Sequence, residues 1–122
     1  MKTKIDVLLE KLSEIKKRIV SIMGVSHSQD DYAIYIKHIG GEIEKFLKGV
    51  VYENQSNNLN FYNLIEELRN KGITQDSIDK LHKTRDLYNQ LKHDPVFTTS
   101  IIYAEETITD LIQAFEEIKT KS

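Results

Sequence analysis

Apolar residues recur at helical spacing along nearly the whole chain, and they mark five segments. In residues 3–23, Ile5, Leu8, Leu12, Ile15, Ile19, Ile22 and Met23 fall in one arc of a helical wheel, with the lysines mostly outside it. Gly24 ends that helix. "GVSHSQD" reads as a loop, and Ser28 and Asp31 are spaced like a capping box with aspartate in the usual Glu/Gln place. A second helix is predicted over about 31–52, with Tyr35, Ile36, Ile39, Ile43, Phe46, Leu47, Val50 and Val51 on one side. Gly40 and Gly41 lie inside it, where each should cost roughly 1 kcal/mol against alanine. Gly40 sits at the margin of the apolar arc, so it either admits a close neighbouring helix or marks a kink.

The polar stretch "ENQSNNLN" at 53–60 reads as a loop. A shorter third helix is predicted over about 58–70, with Phe61, Leu64, Ile65 and Leu68 inward and "NKG" as its stop. Thr74 can cap the fourth, which should run to about His93 and end before Pro95. "TTS" at 98–100 caps a fifth helix, about 100–120, whose Ile101, Ala104, Ile108, Leu111, Ile112, Phe115 and Ile118 form the cleanest stripe. No alternating run or hairpin signal suggests a strand. The expectation is a single all-α domain over 1–122, folded as a five-helix up-and-down bundle.

Composition narrows the function classes. The chain is 39% hydrophobic and 30% charged, the balance of a soluble globular domain. No apolar run nears the ~20 residues that cross a bilayer, and the charged N-terminus is unlike a secretory signal. A cytoplasmic location is the default expectation, with no membrane association. The chain has no cysteine, so no thiolate site or disulfide framework exists. Glycine-rich phosphate loops, dinucleotide fingerprints and zinc or calcium motifs are missing from the sequence, so no cofactor or metal is expected. His38 and Glu42 lie one turn apart on the polar side of the second helix, as a surface pair would. A net charge of −2 argues against a general nucleic-acid coat, so any nucleic-acid contact must be local.

The fourth helix carries the most suggestive chemistry. With Arg85 at zero on its wheel, Leu81, Thr84, Leu87, Tyr88 and Leu91 take the core side, and Asp79, Lys83, Asp86 and Gln90 the solvent side. Between them, within roughly 100°, lie Lys92, Arg85, Asn89, His82 and His93. That is the seam where a neighbouring helix or subunit packs and where clefts form in bundles. Arginine supplies a planar fork of donors for phosphate, lysine a point charge, and histidine a proton exchanged near neutral pH. Together they suffice for metal-free RNA cleavage. The 2′-hydroxyl attacks the phosphate, His93 handles the proton, and Arg85 stabilises the developing charge. Lys92, His82 and Asn89 would contact or orient the substrate. The plainer alternative is that Arg85 and Lys92 lay their stems along the core edge while His93 favours the helix C-terminus.

"KLHKTRDLYNQLKHDP", in the penultimate helix of an all-α chain of this size, resembles the HEPN (higher eukaryotes and prokaryotes nucleotide-binding) superfamily. The resemblance implies a helical bundle, commonly a homodimer. Many members are metal-independent endoribonucleases of toxin–antitoxin and phage-defence systems, working with an antitoxin or defence partner. Their signature is an arginine, often followed by a polar residue, with a histidine four to six residues beyond. Arg85 matches the arginine, Asp86 the polar place and His93 the histidine. Here seven residues intervene, which turns His93 about 80° from Arg85 on a regular helix. Some members lack cleavage and serve as binding or dimerisation modules, which makes a non-catalytic interaction module the alternative.

Overall fold

The computed structural model describes residues 3–22, 29–51, 59–94 and 100–121. They form α1 (Lys4–Ile22), α2 (Gln29–Phe46), α3 (Phe61–Glu67), α4 (Gln75–His93) and α5 (Ile101–Thr120). The fold is an all-α bundle, and no strand occurs among the described residues. No described helix is long and apolar enough to cross a membrane. The capping box expected at Ser28 and the stop expected at Pro95 lie outside the described residues.

Side-chain chemistry explains where most elements begin and end. Thr74, Asn60 and Ser100 each stand in extended conformation just before a helix, and each side-chain oxygen accepts a backbone N–H of the first turn. α3 therefore starts at Phe61, three residues later than its apolar pattern suggested, because the Asn60 carbonyl holds the Asn63 N–H at 2.8 Å. Its end tightens into a 3₁₀ turn, Leu68–Lys71, and Gly72 closes it at φ +82°, the left-handed conformation glycine adopts without penalty. The second helix, expected as one piece to about residue 52, is α-helical only to Phe46 and then opens into a π-helical turn, Leu47–Val51.

The α1, α2, α4 and α5 helices make the bundle. α5 is its spine, packing on α1 and α4 most extensively and on α2 as well. Ion pairs fix its direction against α1: Lys119 meets Asp6 at 2.5 Å and Lys16 approaches Glu105 at 3.9 Å, so the two helices are antiparallel. Against α4 the same sense follows from Lys80–Gln113 at 2.6 Å and Lys83–Asp110 at 3.2 Å. Among the described side chains the expected inward faces are buried, with Tyr35, Ile101 and Ile112 partly so. Leu12, Ile19, Ile36, Ile39, Ile43, Leu47, Leu64, Ile65, Ile108, Leu111 and Phe115 are fully enclosed. Phe46 meets Phe115 edge-to-face at 5.8 Å, joining α2 to the spine. The short α3 is a side piece, packed on α4 and the π-helical turn rather than taking an equal place in the ring.

The choice left open at Gly40 is decided by α4. A Cβ there would stand 2.4 Å from Cγ and Cδ1 of Tyr88 and 2.9 Å from its Cβ. These atoms belong to the root of the ring, which cannot swing away, so Gly40 is a packing contact between α2 and α4. Gly41 differs, since its Cβ would meet only the Tyr88 hydroxyl at 3.9 Å. Gly40→Ala should therefore destabilise by about 1–3 kcal/mol through overpacking. Gly41→Ala should stabilise by up to about 1 kcal/mol, as alanine does inside a helix. Thermal melts of the pair test this, and a stabilised Gly40→Ala would sink the packing account.

Glu117 of α5 reaches the N-terminus of α4. Its carboxylate accepts the Thr74 N–H at 3.0 Å, the Thr74 hydroxyl at 2.7 Å and the Ser77 hydroxyl, and Lys121 stands 3.0 Å away. A negative charge at this helix end also opposes the positive pole of the macrodipole. The hydroxyls of Ser77 and Thr74 hold the Glu117 carboxyl down to about 2. A carboxylate depressed on folding contributes stability above its unfolded pKa, near 4.5, and loses it as pH falls toward about 2. Glu117→Gln should destabilise the fold at neutral pH by the ~1.5–3 kcal/mol typical of hydrogen bonds to a charged group, and so lower its melting temperature. Its melting temperature should also fall less than the wild type's between about pH 5 and pH 2. Identical acid profiles for the two proteins would contradict the assignment.

Candidate functional site

Tyr88, seated on Gly40, forms part of the floor of a cleft between α4, α3 and the last turns of α2. Phe61 of α3 meets the Tyr88 ring at 6.0 Å and 66°, and the Lys92 ammonium stands 5.4 Å above it. The cleft encloses about 250 Å³ and is also lined by Arg85, Asn89, Tyr62, Asn60 and Glu44. Three of the five residues expected on the α4 seam thus share one concavity: Arg85, Asn89 and Lys92. They occupy about 60° at one end of the predicted arc, with His82 and His93 at the other.

The remaining two lie on its flank. His82 is half-buried beside Arg85, and its ring supports the cleft without lining it. Its Nε2 lies 2.7 Å from Glu66 Oε2, and its ring stacks on Tyr62 at 4.7 Å and 30°. The Arg85 Nε–H, which can only donate, points at His82 Nδ1 from 3.4 Å. The tautomer with its proton on Nε2 satisfies both neighbours, accepting from Arg85 and donating to Glu66. Glu66 is held below the usual carboxylate range by this histidine first and by Arg69, 3.3 Å away, second. His93 is the last residue of α4 and is exposed, outside the lining of the cleft. It stands eight positions beyond Arg85, about 12 Å along the helix axis.

The Arg85 guanidinium is more confined than a surface arginine. Its side chain is 19% exposed, with Nη2 2.8 Å from Asp86 Oδ1 and the guanidinium carbon 5.2 Å from the centre of the Tyr62 ring. Asp86 is largely exposed, so water screens that pair, and Arg85 also lines the cleft. Glu44, the acidic group in the lining, is paired with Lys48 at 3.7 Å. Part of the plain alternative also holds, since Lys92 does lie along the Tyr88 ring at the core edge.

Tyr62, Glu66 and Asn60 are the site residues that the seam on α4 did not reveal. Tyr62 and Glu66 stand four apart on α3, just off its buried Phe61–Leu64–Ile65–Leu68 face, so both fall on the flank that meets α4. That spacing is the signal for them. A larger groove of about 380 Å³ lies between α1 and α2, over Val7, Leu8 and Phe46. It holds none of the residues singled out on α4.

Comparison of the chain with models of known families, with curated proteins and with solved structures found no match. The HEPN resemblance thus stands on the α4 residues and the order of helices.

Proposed function

We propose that the protein is a HEPN-like bundle that binds RNA in the α3–α4 cleft. One observation carries the reading: Arg85, Asn89 and Lys92 open together into a concavity whose rim holds an exposed aromatic ring. The guanidinium fork and the ammonium suit phosphate oxygens, while the Asn89 amide offers both a donor and an acceptor to a base or sugar edge. The resemblance sets this activity in a toxin–antitoxin or phage-defence system.

Binding has stronger support than cleavage. Within one chain, neither histidine of α4 lines the cleft beside Arg85: His82 is engaged by Glu66, His93 stands outside, and the acidic group in the lining, Glu44, is paired with Lys48. Cleavage therefore requires a homodimer packed along α4, in which one protomer's His93 approaches its partner's Arg85 cleft. Phosphate would be held by Arg85 and Lys92, and His93 would act as acid or base on the 2′-hydroxyl or the leaving oxygen.

The competing function, a module that docks a partner protein, is favoured by exposed apolar residues at the other edge. Ile102 is 62% exposed in the first turn of α5, and Val20 is 48% exposed near the end of α1, where the Lys16–Glu105 pair brings these helices together. An antitoxin-like or defence-system partner would cover them.

Fluorescence anisotropy with mixed RNA tests the binding reading. Affinity should fall as salt rises, and Arg85→Ala or Lys92→Ala should each reduce the slope of log K against log salt by about one. Failure of the wild type to bind at low salt would remove the RNA reading and leave the partner module. Cleavage has its own test. Under conditions where sedimentation shows a dimer, RNA should be cut in the presence of chelator, and His93→Ala or Arg85→Lys should stop the cutting. His93→Ala should melt like the wild type, since the ring is exposed. RNA left intact by a confirmed dimer would restrict the function to binding.

A further inference from the structure

Adjacent residues at the start of α3 have opposite fates. Phe61 is 7% exposed and points into the core, whereas Tyr62 is 47% exposed and stands on the rim of the cleft. A large aromatic ring left half in water needs something to fix it, and among the described residues Tyr62 is held from the α4 side. The His82 ring at 4.7 Å and the Arg85 guanidinium at 5.2 Å, which hold it, both belong to α4. His82 is in turn locked by Glu66, one turn beyond Tyr62 on α3. The ring is thus a flat surface held against α4, with its open part beside the groups suited to phosphate.

The geometry points to Tyr62 as a stacking platform for an unpaired nucleobase, which makes single-stranded RNA the substrate class of this cleft. This rests on the RNA reading above and adds its strand specificity. Bases inside a duplex are stacked on one another and cannot be laid on a side chain, so a flat aromatic selects bases that are already free. Arg85 and Lys92 lie two turns apart on α4, on the cleft side of the ring, and would follow the backbone while the base turns onto Tyr62. Asn60 completes the arrangement. Its carbonyl is occupied capping Asn63, so its amide N–H₂ is the group it would offer to an acceptor on a base edge.

A short single-stranded RNA carrying 2-aminopurine, alone and annealed to its complement, provides the test. The wild type should bind the single strand more tightly than the duplex and should quench the 2-aminopurine by stacking. Tyr62→Ala should weaken single-strand binding about five- to a hundredfold, the range for loss of one stacked base. Tyr62→Phe should bind and quench like the wild type, and Tyr62→Leu should bind weakly without quenching. Melting curves accompany each variant, because Tyr62 also supports His82. The wild-type quench reports stacking whatever the stability of the variants. Equal affinity for single strand and duplex, or no quench on binding, would overturn the platform. A Tyr62→Ala protein that binds like the wild type while Arg85→Ala does not would overturn the platform and keep the RNA reading. If the wild type binds neither form, both fall together.

Discussion

The close approach of α2 to α4 at Gly40 is the constraint on which the cleft depends. With no Cβ on Gly40, the root of the Tyr88 ring fits against the backbone of α2. Tyr88 then presents its ring to Phe61, which seats the start of α3, and its upper surface to the Lys92 ammonium. Three elements take their positions from one missing methyl group. A bulkier residue at this point would push α2 from α4, and the floor of the cleft would move with it. The glycine weakens helix propensity locally, yet that small cost is set against packing that extends to the cleft.

α5 supplies the rigidity behind that face. Its stripe is buried from Ala104 to Ile118, and its polar edges hold both neighbours in register, through Asp110, Gln113 and Glu117 toward α4 and Lys119 toward α1. These contacts engage the Lys80–Lys83 edge of α4 and its N-terminal cap. They leave free the seam that carries Arg85, Asn89 and Lys92. Asp6, whose carboxyl is lowered to about 2 by Lys119 and Thr3, makes the equivalent attachment at the start of α1. The resulting arrangement fixes α4 against rotation about its own axis, so the seam faces α3 rather than open solvent.

Much of this was legible in the sequence, and the reasons differ by element. Periodicity defines the helices because burying one face is what drives each to pack, and the stripe on α5 contains almost no exception. Thr74 and Ser100 were recognisable as caps because capping is a local interaction within one turn. The three sectors of α4 likewise follow from its own wheel. What escaped was set by partners distant in sequence. Gly40 could not be read without Tyr88, and Tyr62 could not be read without His82 and Arg85. His93 illustrates the limit of a wheel: it shares a 100° arc with Arg85 yet lies two turns away and outside the cleft. The π-helical turn after Phe46 left no mark in the apolar pattern, which continues through Leu47, Val50 and Val51.

The brevity of α3 has a dynamic consequence. Seven α-helical residues and one 3₁₀ turn are too few to sustain a helix alone in water, so α3 persists through its docking on α4. The two walls of the cleft therefore belong to units of unequal local stability. The α4 wall belongs to the bundle itself, whereas the α3 wall is held by the docking of Phe61, Leu64, Ile65 and Leu68 in the core, so local opening is expected there first. Exchange of the α3 amides would report this opening at a lower free energy than exchange within α4 or α5. A ligand gripping both walls would close that gap, drawing α3 into the same cooperative unit as the helices beneath it.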